Sequence, residues 1–253
     1  MTKIKSTLLL LLLGISSISL ANSSLPDGFV YLSDVAPNIL QDIRYSSYHN
    51  FLGRPVKGYE ANECILTRPT ADTLAKIQQE LIQSDLSLKI YDCYRPQMAV
   101  DDFIAWSKQL ADQKMKAEFY PRVDKRDFFS LGYIAEKSAH SRGSTVDLTI
   151  VNLPATREAD YHRGGKLTGC YLSYQERFKD NTIDMGTGFD CFDTMAHPAN
   201  QTIGTVAFYN RQLLQAIMGK YGFSPYIYEW WHFTLREEPF PNKAFNFPIV
   251  ENL

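Results

Sequence analysis

His140 and Asp147 lie in the stretch Ser138-Ala139-His140-Ser141-Arg142-Gly143-Ser144-Thr145-Val146-Asp147-Leu148-Thr149-Ile150. Val146, Leu148 and Ile150 alternate with Asp147, Thr149 and Val151, so the stretch reads as a loop entering a strand. An imidazole and a carboxylate on one rigid strand entry are two candidate metal ligands. Taking both from one segment lowers the entropy cost of assembling a site. His232, in Glu229-Trp230-Trp231-His232, is the candidate third. Catalytic zinc takes three protein ligands and keeps one position open for water. Two imidazoles and one carboxylate suit zinc, and geometry alone leaves other first-row metals open. Glu229 stands three residues before His232, where a carboxylate can take a proton from water and later pass it to a leaving amine. Arg95, between a strand end and Pro96, can hold a developing oxyanion or a carboxylate. Together these groups describe metal-assisted amide hydrolysis.

Each group also has a purely structural reading. His140 and Asp147 alone are a weak signal, Glu229 can pair with a surface cation, and Arg95 can bridge to Asp92. Trp230 and Trp231 read as core or pocket wall. His49, His162 and His197 read as surface residues or as neighbours of the site rather than as ligands.

These groups need a framework. The chain has 253 residues, 45% of them hydrophobic, which is enough for one substantial core. A net charge of -2 gives no argument for nucleic acid or an anionic membrane as a partner, and none is expected. Residues 1–21 read as a cleaved secretory signal peptide: Lys3 and Lys5, the run Leu8 to Leu13, then Ser19-Leu20-Ala21. The apolar run falls short of the roughly 20 residues a membrane span needs, so no lasting anchor is expected. The mature chain, residues 22–253, is expected to be one domain in the periplasm or outside the cell. Four cysteines in an exported chain favour disulfides, and four allow three pairings. Cys64 and Cys93 flank one helix and strand unit, and Cys170 and Cys191 flank one polar loop. The expected pairs are therefore Cys64–Cys93 and Cys170–Cys191.

Leu74, Ile77, Leu81 and Ile82 recur at helical spacing after Pro69, predicting a helix over 70–83. Leu86, Leu88 and Ile90 alternate as a strand, and Pro96 opens a helix through Trp106. Residues 157–193 read as a long loop too polar to be core. Val206, Tyr209, Leu213, Leu214, Ile217 and Met218 mark a helix that stops before Gly222, and Ile227 to Leu235 reads as a strand. The tail from Glu238 is expected to wrap the surface. Helices and strands mix without regular alternation, so the fold class is α+β.

The ordered motifs resemble those of the D-alanyl-D-alanine dipeptidases of the vancomycin-resistance type, within the zinc D,D-peptidases. They are Arg44-Tyr45, Asn50-Phe51-x-Gly53-x-Pro55-Val56-x-Gly58-Tyr59-Glu60, Tyr94-Arg95-Pro96, Lys137-Ser138-x-His140-Ser141-Arg142-Gly143-Ser144, Asp147-Leu148-Thr149, Met185-Gly186-Thr187-x-Phe189-Asp190, Glu229-Trp230-Trp231-His232 and Pro239-x-Pro241-Asn242. The resemblance covers nearly the whole mature chain. It implies a compact α+β domain with a mainly antiparallel central sheet flanked by helices, shared with the hedgehog signalling domain. It further implies one zinc on His140, Asp147 and His232, Glu229 as general base and then acid, and Arg95 on the tetrahedral intermediate. Asp190 would receive the ammonium of a small D-amino-acid dipeptide, with Tyr45 and Ser138 shaping its pocket.

Two departures stand out: Thr145 replaces the usual alanine, and the segment from Arg157 to Tyr174 is longer than in compact intracellular members. The expected reaction is cleavage of D-Ala-D-Ala. Its rivals are a D,D- or L,D-carboxypeptidase acting on longer peptidoglycan stems and a zinc-bearing module that only binds. Keeping both Glu229 and Arg95 argues against the module, since structural zinc needs neither.

Overall fold

A computed structural model describes residues 25–252 of the chain. The expected signal peptide lies outside the described residues. β1 (Phe29–Tyr31) runs into α1 (Leu32–Val35), and β2 (Leu40–Gln41) follows. β3 (Ile65–Thr67) leads directly into α2 (Arg68–Ile82), which carries Pro69 in its first turn and buries Ala71, Leu74, Ile77 and Leu81 on one face. β4 (Leu86–Asp92), α3 (Gln97–Ser107) and the short α4 (Lys116–Phe119) come next. β5 (Thr145–Asn152), α5 (Thr205–Lys220), β6 (Phe223–Tyr226) and β7 (Glu229–Leu235) complete the framework. The architecture is α+β. The larger sheet has strand order β2-β4-β5-β7-β6, antiparallel throughout except for the parallel β2–β4 pair, and β1 and β3 form a separate antiparallel pair.

β5 and its neighbours have two different faces. Leu88 pairs with Ile150 and Ile90 with Leu148, so one face is apolar. Lys89 pairs with Thr149, Asp147 with His232 and Thr145 with Thr234, so the other is polar. The Thr145 hydroxyl lies 2.9 Å from that of Thr234, so the cross-strand pair absorbs the polar atom that an alanine would lack.

The polar segment 157–193 corrects one expectation. It contains no helix or strand, as a loop should, but its second half is core. Arg177, Asp180, Thr182, Met185, Thr187, Phe189, Asp190 and Phe192 are buried. The reason is the polar sheet face beneath it. Lys89 donates to the Asp180 carbonyl at 2.8 Å and to Glu158 at 2.6 Å, and the Tyr91 hydroxyl donates to Asp180 at 2.5 Å. Arg44, itself buried, pairs with Asp42 and Glu158. Residues 157–166 stay largely exposed, as their composition suggests, while the buried charges of the second half are paired internally: Arg177 with Asp184 at 2.7 Å, and Asp180 with the Tyr91 hydroxyl. A second correction concerns Ile227 to Leu235, where the structure has a hairpin: Ile227 and Tyr228 turn between β6 and β7. Pro225 hid β6 in the sequence, and it is tolerated because β6 is an edge strand.

Both expected disulfides are formed, with Cα–Cα separations of 5.3 Å for Cys64–Cys93 and 5.5 Å for Cys170–Cys191. Gly143 links the smaller sheet to the ligand strand. Its φ is +80°, its carbonyl accepts the Thr67 N–H at 2.8 Å, and a Cβ there would stand 2.3 Å from the Phe29 ring. Both the conformation and the close approach require glycine. Gly143→Ala is expected to cost on the order of 2–3 kcal/mol from backbone strain and overpacking, read as a lower midpoint in denaturant unfolding.

Candidate active site

Sheet register brings the candidate ligands together. Asp147 on β5 stands directly opposite His232 on β7, and Asp92 at the end of β4 pairs with Asp147 on the other side. His140 comes from a 3-10 turn, Ala139–Arg142, that leads into β5; the Ser138 side chain caps it by accepting the His140 N–H at 3.2 Å. The result is a near-equilateral triangle. His140 Nε2 lies 3.2 Å from His232 Nδ1, and each nitrogen lies 3.2 Å from Asp147 Oδ1. Three donors on a tetrahedral ion with bonds of about 2.0 Å would be separated by about 3.3 Å.

The chemistry of the donors agrees. His140 Nδ1 donates to the Cys93 carbonyl at 2.7 Å, which leaves the Nε2 lone pair facing the triangle. Asp147 Oδ1 is buried and has no hydrogen-bond partner among the described residues, although two ring nitrogens are near. That is the arrangement expected of atoms converging on a common ion rather than bonding one another. Burial outweighs the pull of Asp147 and lowers the His232 pKa, favouring the neutral imidazole that a ligand requires. The residues therefore fit a metal ion, and their donor set suits zinc.

The other expected site residues surround this triangle in one cavity of about 360 Å³. Glu229 reaches within 3.4 Å of His232 Nδ1. Burial, reinforced by Asp147 and Asp190, raises its pKa well above the ordinary value. Arg95 does bridge to Asp92, at 2.8 Å, and it also lines the cavity, with its guanidinium 3.5 Å from Asp147. The Asp92 bridge of the structural reading thus leaves the same side chain in the cavity wall. Asp190 accepts the Tyr45 hydroxyl at 2.8 Å; burial, with Asp147 nearby, pushes its pKa up to about 8. Ser138 and Tyr45 line the same cavity. His49 is buried away from the triangle, 2.6 Å from Glu118 and stacked on Tyr161, so it is neither ligand nor surface. His162 is exposed, and His197 is half-buried beside Tyr228.

Comparison with known proteins agrees with this geometry. The family profile described as D-ala-D-ala dipeptidase, among the M15 peptidases, matches residues 26–167 and 168–250. The chain is 35% identical to the D-alanyl-D-alanine dipeptidase of Enterococcus faecium, over 88% of this chain and 98% of that protein. It is 36% identical to that of Streptomyces coelicolor over the same shares. The Escherichia coli D-alanyl-D-alanine dipeptidase is 30% identical over 81% of this chain and 83% of its own length. The chain belongs to the D-Ala-D-Ala dipeptidase family of M15 peptidases. It is thus a peptidase of a metallopeptidase family, and its small cavity suits a dipeptide.

Sequence reasoning treated Asp92 as no more than a partner for Arg95. The structure makes it a hub: Asp92 accepts the Tyr59 hydroxyl at 2.7 Å, pairs with Arg95 and lies 3.5 Å from His140 Nδ1. A carboxylate closing an apolar strand, three residues before an arginine, was the available signal. Phe103, whose face lies 5.1 Å from the Arg95 guanidinium, and Tyr226, near His232, were also missed as cavity walls.

Asp147→Ala is expected to weaken metal binding by more than the 10–100-fold that loss of an outer-shell partner costs, measured by chelator competition. A second expectation concerns pH. A carboxyl whose pKa rises on folding favours the folded state below its unfolded value and loses that stability as pH climbs toward its folded value. For Asp190 the window runs from 3.8 to about 8. In metal-free protein at pH 7, Asp190→Asn should therefore raise stability, by on the order of 1–4 kcal/mol, while at pH 3 the two proteins should differ little. Thermal unfolding at both pH values checks the sign.

Proposed function

We propose that this protein is a zinc dipeptidase that hydrolyses D-Ala-D-Ala to two D-alanines. The observation that carries the reading is the shared cavity, which joins the His140–Asp147–His232 triangle to Glu229 and to the buried Asp190. The D-configuration of the substrate follows the names of the relatives. A bound zinc would act as a Lewis acid on the scissile carbonyl and lower the pKa of water.

The chain's own groups supply the rest. Glu229, raised in pKa by its buried and acidic surroundings, takes the proton of the attacking water and returns it to the leaving amine nitrogen. Arg95, held by Asp92, offers a fixed guanidinium to the oxyanion that develops on the carbonyl. Asp190 pairs with the substrate ammonium, and the pairing draws its carboxyl back to the ionised form. An acylated nitrogen has no charge to offer, and it would leave Asp190 desolvated without compensation, so a free dipeptide is preferred to a longer chain. Tyr45 holds the Asp190 carboxylate in place.

An oxidising compartment accords with the two disulfides, and export by residues 1–21 followed by a periplasmic or secreted life is part of the proposal. So are a mature domain spanning residues 22–253, a fold shared with the hedgehog signalling domain, and a role in dipeptide salvage or wall turnover.

The test is D-alanine release from D-Ala-D-Ala, followed before and after chelation and zinc return. Loss on chelation with recovery on zinc return is expected. An N-acetylated tripeptide cleaved faster than the dipeptide would replace this reading with a carboxypeptidase. Glu229→Ala is expected to keep its metal and lose about 10²–10⁴-fold in kcat, and near-normal turnover would remove Glu229 from the mechanism.

A further inference from the structure

The two disulfides touch different halves of the site. Cys93 follows Asp92 at the end of β4, and its carbonyl is the group that orients His140. Its partner Cys64 is anchored on both sides: its N–H donates to Gln41 Oε1 at 2.7 Å, and its carbonyl accepts the Leu32 N–H at 2.8 Å. The next residues continue the tie, Tyr94 N–H donating to the Ile65 carbonyl at 2.9 Å. The orienting carbonyl is therefore fastened to the smaller sheet as well as to β4.

Cys170 is tied to the segment that carries Asp190. Its carbonyl accepts the Gly188 N–H at 2.8 Å, and its sulfur is bonded to Cys191. The two attachments fall on either side of Asp190. That residue needs them: its φ is +54°, a left-handed conformation for a non-glycine residue, and it lies outside the helices and strands. Cys170 is itself held, its N–H donating to the Glu118 carbonyl at 2.9 Å, and Phe192 N–H donates to the Phe119 carbonyl at 2.8 Å. The Asp190 turn is thereby pinned to α4.

We propose that the disulfides divide the site between them: Cys64–Cys93 positions the metal ligand His140, and Cys170–Cys191 positions the ammonium receptor Asp190. The second half of this assignment rests on the dipeptidase reading. Selectivity for a free amine then depends on the oxidation state of one particular bond. Opening Cys170–Cys191 would leave the metal in place and blunt recognition of the substrate's amino end. Opening Cys64–Cys93 would do the reverse.

The experiment compares C64S/C93S with C170S/C191S in the full mature chain. Zinc affinity is read by chelator competition, and selectivity is the ratio of kcat/KM for D-Ala-D-Ala to that for its N-acetylated form. C64S/C93S is expected to bind zinc about 10–100-fold more weakly at an unchanged selectivity ratio. C170S/C191S is expected to keep wild-type zinc affinity and to lose about tenfold or more of the ratio, mainly through KM for the free dipeptide. A general loss of stability would move both readouts together in both variants, and that result, or an unchanged ratio in C170S/C191S, overturns the proposal. Should either variant fail to fold, stepwise reduction and alkylation of the folded wild type, with the opened bond identified by peptide mass, gives the same comparison. If the wild type turns over no dipeptide, the dipeptidase reading fails by itself. Zinc affinity then still decides the metal half: weakening on opening Cys64–Cys93 alone upholds it, and weakening on opening Cys170–Cys191 overturns it.

Discussion

The antiparallel register of β4, β5 and β7 is the constraint on which the rest depends. It sets Asp92, Asp147 and His232 in one row across three strands. A slip of one residue would turn Asp147 toward the apolar face and bring Val146 or Leu148 to the ligand position. The apolar face guards against that slip, because Leu88, Ile90, Val146, Leu148, Ile150 and Phe233 are all buried there. Hydrophobic burial thus fixes the position of a polar site on the opposite side of the same strands. His140 is added locally, by a turn that ends at Gly143 and feeds straight into β5.

That row concentrates negative charge. Asp92, Asp147, Asp190 and Glu229 converge with Arg95 as the buried cation among them. Desolvated carboxylates close together raise one another's pKa, and both Asp190 and Glu229 show it. Such a cluster favours binding of positive charge. Under the proposed function, the cations would be a divalent ion at the triangle and an ammonium at Asp190. The cluster of four carboxylates around Arg95 therefore costs stability in the free protein, as charged functional sites commonly do.

Much of this was legible in the sequence. The ligand strand announces itself by alternation, the helices α2, α3 and α5 by periodicity and by Pro69, Pro96 and Gly222, and the cysteine pairs by the elements they flank. What was not legible depended on partners distant in the chain. The burial of the second half of 157–193 could not be read from its own composition, because the segment docks on distant partners: Glu158 is matched by Arg44 and Lys89, more than a hundred and about seventy residues away respectively. β6 was hidden by Pro225, whose acceptability depends on a free sheet edge that a single segment does not reveal. Asp92 looked like a local partner for Arg95, and its contacts to Tyr59 and His140 appear once the strands are aligned.

The two halves of the cavity are built by different means, and this bears on how substrate choice can vary. The metal half is made of sheet register and a short turn, so changing it would disturb the core. The half around Asp190 sits on a segment without helix or strand, held by hydrogen bonds, by buried ion pairs and by one covalent link. Loops supported in this way can change length without altering the strands beneath them. In the proposed dipeptidase, the metal chemistry would therefore stay constant while the groups that read the amino end of the substrate shift. Here the polar face of the sheet supplies partners that let the second half of a long, hydrophilic segment be buried and still carry Asp190 to within hydrogen-bond reach of Tyr45.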